Sequence, residues 1–168
     1  MTTLYLVRHG QTTDNVAQIM QGQRQGQLTP EGERQIQTLA EQLAGIHFDA
    51  YVSSDLRRAI DSCLIIARGR NMDIVTTPLL RERDWGDFTG RFIPELKGLD
   101  FPENVEKMDF MVQRAIDFLQ WVADKYPGKT VLAMGHGIIN KVIQAVYHHK
   151  PTYDIPRMQN AEYRVLTL

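Results

Sequence analysis

Two histidines and two arginines stand out in this sequence because of where they fall. Arg8-His9-Gly10 follows the apolar run Leu4-Tyr5-Leu6-Val7, and Gly135-His136-Gly137 follows Thr130-Val131-Leu132-Ala133-Met134. A third run, Phe48-Asp49-Ala50-Tyr51-Val52, gives way to Ser53-Ser54-Asp55, with Arg58 a turn further on. A neutral imidazole can attack an electrophile or move a proton, and a guanidinium offers a planar fork of donors to an oxygen anion. If the three runs are parallel strands of one sheet, their carboxyl ends share an edge and these four side chains converge. Cations crowded in that way repel one another unless an anion compensates them, and a phosphate offers three equatorial oxygens to such donors. His9 is the candidate nucleophile, set at the lip of a sheet, where open α/β folds keep their ligand sites. Gly10 is expected to permit a tight turn behind it.

The elements that must hold these residues follow from hydrophobic period. Residues 13 to 28, with Asn15, Gly22, Gly26 and five glutamines, show little apolar period and predict a polar loop. Thr29-Pro30 supplies a helix N-cap and a proline at the first helical position, and Ile36, Leu39, Ala40 and Leu43 share one helical face before Gly45. A strand is predicted at 48 to 52, then a helix carrying Ala59, Ile60, Cys63, Leu64 and Ala67, then a strand at 74 to 78. An irregular segment rich in Gly and Pro follows. Met108, Met111, Val112, Ala115, Leu119 and Val122 mark the next helix, and the continuous apolar run at 130 to 134 reads as a strand buried on both faces. Ile138, Ile139, Val142, Ile143 and Val146 mark a helix that stops before Pro151, and 163 to 168 is a final strand. Strands alternating with helices predict an α/β fold, a three-layer, doubly wound and mostly parallel sheet with helices on both faces. One domain is expected over residues 1 to 168, with a lid-like excursion at about 79 to 107.

Composition narrows the function. With 19 basic and 20 acidic residues the formal charge is −1, so no global field draws the chain to nucleic acid or an anionic membrane, and any anion must be held by a local cluster. One cysteine excludes an internal disulfide and a cysteine-based zinc site. No apolar run is long enough to span a bilayer, and Met1-Thr2-Thr3 leads into the first strand without a signal-peptide pattern. A cytoplasmic protein is expected, and the oligomeric state is left open.

Read together, Leu6-Val7-Arg8-His9-Gly10, Asn15, Ser53-Ser54-Asp55-Leu56-Arg57-Arg58-Ala59, Leu80-Arg81-Glu82-Arg83-Asp84-Trp85-Gly86 and His136-Gly137 resemble the histidine phosphatase superfamily, also called phosphoglycerate mutase-like. The motifs occur in that family's order and cover nearly the whole chain. The resemblance implies the phosphoglycerate mutase-like fold and a phosphatase that hydrolyses a small phosphomonoester through a phosphohistidine at His9. Arg8, Asn15, Arg58 and His136 would hold the phosphoryl oxygens, with Gln21, Gly22 and Gly137 lining the same site, and Glu82 would be general acid and then base. Neither a metal nor another cofactor is called for, because cationic side chains do the work of magnesium.

The chain departs from the family pattern in places. Gly135 stands where Ser or Thr usually precedes the second histidine. Gln25-Gly26-Gln27 replaces the Asp-x-Pro that often lies between Gln-Gly and Leu-Thr, and Phe88-Thr89-Gly90 replaces a common Trp-Glu-Gly. The stretch from Gly90 to the next helix is short, so the leaving-group side is expected to be open or closed by a partner subunit.

Plainer roles compete at several positions. Arg58 could pair with Asp55 or Asp61, and Glu82 could belong to a surface cluster with Arg81, Arg83 and Asp84. Ser53 and Ser54 could cap the following helix. Cys63 continues an apolar stripe and reads as core. His148-His149 suits a helix's last turn, and Gly128-Lys129-Thr130 precedes a strand, unlike a P-loop. Two other functions stay open: mutase-type phosphoryl transfer, suggested by Arg83 after Glu82 but weakened by the scattered Arg91, Lys97 and Lys107, and a phosphate-binding module without turnover.

Overall fold

The computed structural model describes residues 1–168 and is built on a five-stranded sheet in the order β3-β2-β4-β1-β5. Its strands are β1 (Thr3–Arg8), β2 (Ala50–Ser54), β3 (Ile74–Thr77), β4 (Thr130–Gly135) and β5 (Tyr163–Thr167). The first four run parallel, and β5 lies antiparallel against β1. Alternation along the central strands sends side chains to opposite faces. Leu4, Leu6, Val131 and Ala133 pack under α5 (Met108–Lys125) and α6 (Gly137–His148), while Val7, Leu132 and Met134 pack under α2 (Pro30–Gln42) and α3 (Arg57–Ala67). The expected three-layer architecture is therefore present, and no helix is long and apolar enough to cross a membrane.

Register is what matters for the site. Arg8 pairs with Gly135 at the end of β1 and β4, and Ser53 pairs with Met134, so the three polar clusters meet on one edge. Helix α2 starts as predicted, with the Thr29 hydroxyl accepting from Gly32 N–H. Strand β2 runs two residues later than expected, because Ser53 and Ser54 pair with Thr76 and Thr77 of β3.

Residues 13 to 28 depart from the predicted loop. A short helix, α1 (Thr13–Ala17), is set by a capping box in which the Thr12 side chain accepts from Asn15 N–H and the Asn15 side chain accepts from Thr12 N–H. It buries no side chain, which is why it leaves no apolar period in the sequence. Gly10 also plays a different part from a turn glycine. A Cβ there would come within 2.5 Å of the Gly32 carbonyl oxygen, so the residue permits close approach to the start of α2.

The segment from 78 to 107 contains 3-10 turns at Pro78–Leu80 and Gly86–Phe88 and the single-turn helix α4 (Ile93–Leu96). Met20 N–H donates to Arg91, Gly90 N–H to Met20 and Ile93 N–H to Gln18, tying it to the stretch after α1. Arg114 of α5 donates to the carbonyls of Leu79 and Arg81 and pairs with Glu106. These bonds make the segment a wall of the cavity described next.

Candidate active site

His9 leaves the end of β1 with its backbone N–H on Gly135 O. Its Nδ1 lies 2.7 Å from Gly10 O. A carbonyl only accepts, so the proton belongs on Nδ1 and Nε2 carries the lone pair. Burial, and after it Arg58 and Arg8, hold the His9 pKa well below its ordinary value, so the ring is neutral. Arg58 Nε–H donates to the Nε2 lone pair at 3.4 Å, a long bond that an incoming phosphoryl group would displace.

His136 lies behind this ring, the two centroids 5.1 Å apart. It is fully buried, and its pKa is depressed by burial, Arg58 and His9. Its Nε2 is 2.8 Å from Ser54 Oγ, which also accepts from Leu56 N–H. With the Ser54 hydroxyl donating to Nε2, the ring proton sits on Nδ1, which has no partner within the chain and is left for a ligand. Ser54 thus orients His136 rather than capping α3. Gln25 caps it instead, with its side chain and carbonyl accepting from the N–H groups of Arg57 and Arg58.

The two arginines are held by backbone carbonyls. Arg8 donates to Met158 O at 2.6 Å, and Arg58 donates to Gly22 O at 2.8 Å and to Arg24 O. Neither forms a salt bridge, and Arg8 Nε is buried without a partner. Burial first of all brings both down to a pKa of about 10, so both stay charged near neutrality. Two buried cations without a carboxylate partner are costly unless an anion joins them. The suggested rivals are otherwise engaged, Asp55 by Arg81 and Asp61 by Arg57.

Glu82 turns away from its charged neighbours. Its carboxylate accepts from the N–H groups of Ile138, Ile139 and Arg83, each at 3.0 Å, which fixes it over the start of α6. Arg83 instead donates to Glu106 O and covers the rings of Trp85 and Phe101.

These groups border a cavity of about 330 Å³. Arg8, His9, Arg58 and Glu82 line it, as do Asn15, Gln21, Gly22 and Gly137. His136 lies beneath them. Gln21 accepts from the Thr12 hydroxyl, and Asn15 Oδ1 accepts from Thr12 N–H, which leaves the Asn15 amide group for the cavity. The glycines around His136 make room for protein rather than for a ligand. A Cβ on Gly135 would strike the Asn140 side chain, and one on Gly137 would touch the Arg8 guanidinium. A larger groove of about 550 Å³ beside α2 and α3, at Gln37, Asp61, Leu64 and Arg68, receives none of the site residues. No three His, Cys, Asp or Glu side chains gather as a metal site.

Sequence reasoning missed four contributors. Lys141 and Arg157 also line the cavity, Met158 supplies the carbonyl that holds Arg8, and Asn160 donates to His9 O at 3.1 Å. Lys141 could have been found, since it lies one helical turn beyond Gly137. The other three lie before β5 and reach the site only through that strand's antiparallel register with β1.

Comparison with known proteins agrees with the geometry. A family model described as the histidine phosphatase superfamily (branch 1) matches residues 4–168. A Bacillus subtilis protein described as uncharacterized phosphatase PhoE is 32% identical over 166 residues, covering 96% of this chain and 86% of that one. A metal-independent phosphoserine phosphatase of Arabidopsis thaliana is 32% identical over 164 residues, covering 88% and 68%. The solved structure of Bacillus stearothermophilus YhfR superposes with a TM-score of 0.94 at 29% identity, over 100% of this chain and 92% of that one. The chain belongs to the histidine phosphatase superfamily, branch 1.

Proposed function

We propose that this chain, acting as one phosphatase unit over residues 1–168, hydrolyses a small phosphomonoester through a phosphohistidine at His9. The observation that carries the reading is a neutral imidazole whose unprotonated Nε2, engaged only by a long 3.4 Å hydrogen bond from Arg58 Nε, lies beside two buried arginines that have no salt-bridge partner.

His9 Nε2 attacks phosphorus and the bond from phosphorus to the ester oxygen breaks. The departing alkoxide takes a proton from Glu82, and the positive charge arising on the imidazole is shared through Nδ1–H with Gly10 O. Water then attacks the phosphohistidine, gives its proton to Glu82 and releases inorganic phosphate, restoring His9. Arg8 Nε, His136 Nδ1, Arg58 and the Asn15 amide donate to the non-bridging oxygens, where they stabilise a loose transition state by position and charge. The Arabidopsis relative's description as metal-independent supports a site run by these side chains.

Mutase-type transfer is less well supported, because Arg83 is spent on Trp85, Phe101 and Glu106, and Arg91, Lys97 and Lys107 line no part of the cavity. A cytoplasmic setting with small phosphorylated substrates, and neither nucleic acid nor membrane as partner, completes the proposal. Its test is phosphate release from a panel of small phosphomonoesters with and without EDTA. Turnover undiminished by EDTA is expected. Activity that EDTA abolishes and magnesium or zinc restores would overturn the metal-free mechanism.

A further inference from the structure

Four cations border the cavity, and phosphoryl transfer needs two of them. Arg8 and Arg58 match a phosphate dianion. Lys141 and Arg157 remain, and neither has a salt-bridge partner in the chain. Glu82, the one carboxylate on the cavity wall, accepts from the N–H groups of Ile138, Ile139 and Arg83 and forms a salt bridge with neither cation.

Their positions are fixed by the same elements that build the phosphate site. Lys141 lies on α6 four residues after Gly137, so it occupies the same helical face one turn along from the residue packed on the Arg8 guanidinium. Arg157 immediately precedes Met158, whose carbonyl holds Arg8, and it lies near enough to add to the depression of the Arg8 pKa. Ile19, Met20, Trp85, Ile93 and Ile138 supply the uncharged part of the rim. The pair therefore stands beside the phosphate, on the route that the alcohol half of a substrate must take.

We infer that Lys141 and Arg157 form a subsite for a second anionic group, a carboxylate or a further phosphate, on the leaving-group half of the substrate. This rests on the phosphatase reading above. It does not draw on Arg83, Arg91, Lys97 or Lys107 of the excursion, because both cations come from α6 and the segment before β5.

Matched substrates test it. The wild-type protein should show kcat/KM about tenfold to a hundredfold higher for 3-phosphoglycerate than for glycerol 3-phosphate, as expected for charge-assisted contacts at a partly exposed site. Propane-1,3-diol bisphosphate against the monophosphate tests the phosphate arm, where the ratio should exceed the factor of two due to its two equivalent groups. A preference within either pair supports the inference and names the anion. The double variant K141M/R157M should bring that ratio near one, R157E should invert it, and R157K should keep it. A structural role would not give that order. Should the double variant fail to fold, R157Q, at an exposed position, gives the same reading through a reduced ratio. Wild-type ratios near one for both pairs, or a ratio that survives K141M/R157M, overturn the inference while leaving the phosphatase reading intact. If no phosphomonoester is turned over, that reading fails and calorimetric titration decides the subsite. There 3-phosphoglycerate should bind the wild type at least tenfold tighter than glycerol 3-phosphate and lose that margin in K141M/R157M, and equal affinities would overturn it.

Discussion

The floor of the cavity and its rim are built in different ways. On the floor, Arg8, His9, Arg58 and His136 are each no more than 6% exposed and sit at strand ends or in the first turn of a helix. Their places are set by the parallel register of β2, β4 and β1, and their hydrogen bonds run mostly to backbone carbonyls. On the rim, Glu82, Trp85, Ile93, Lys141 and Arg157 are at least partly open to solvent and come mainly from irregular segments and helix faces. The difference separates two tasks. A floor locked by sheet geometry can hold a phosphoryl group rigidly, whereas a rim assembled from loops can vary with the alcohol that leaves.

Among the variants that tell rim from floor, the largest expected effect lies on the rim and depends on the substrate. Glu82→Gln should lower kcat/KM for an alkyl phosphate by about 10²–10⁴-fold, the usual contribution of a general acid. The loss should be much smaller for p-nitrophenyl phosphate, whose leaving group departs without a proton. Using kcat/KM restricts the comparison to the first transfer, apart from the later step in which Glu82 serves as base. Equal small losses on both substrates would remove Glu82 from proton transfer and blur the distinction between floor and rim.

A floor residue should behave in the opposite way. Arg58→Met is expected to cost about 2–5 kcal/mol of transition-state stabilisation, the range for removing one partner of a desolvated charge pair. That loss should be the same for alkyl and aryl phosphates, because the proposed partner of Arg58 is the phosphoryl group common to both. In the same variant, inorganic phosphate should raise the melting temperature less than it does in wild type. A loss that tracks the leaving group would place Arg58 on the rim.

The smallest effect is on stability. His9 and His136 both titrate well below 6.5 in the folded chain, chiefly through burial. Below about pH 6.5 the unfolded chain therefore binds more protons than the folded one, so stability is full above that pH and declines as pH falls. The urea midpoint should drop between pH 7.5 and pH 5, with a shallower drop in a His136→Gln variant. Equal slopes in the two proteins would argue against a buried neutral His136.

The same contrast explains what could be read from the sequence. Floor residues interrupt apolar β runs, so Arg8-His9 and His136 are conspicuous, and parallel pairing alone brings them together. Glu82 was legible from its motif, but only the N–H groups of Ile138 and Ile139 show how it escapes Arg81 and Arg83. Asn160 left no signal, since its approach to His9 depends on how β5 returns beside β1. α1 was hidden because Asn15 rather than Glu completes its capping box and the helix buries nothing. Gly135 and Gly137 are close approaches whose partners, the Asn140 side chain and the Arg8 guanidinium, only the fold brings near.

The central claim is a covalent bond between phosphorus and His9 Nε2. Rapid quenching of the wild-type protein with a labelled phosphomonoester at low temperature should trap the label on His9, stable to alkali and released by acid. The His9→Ala protein, folded by circular dichroism, should carry no label and show no turnover. An acid-stable label on wild type, or label retained by His9→Ala, would contradict the account.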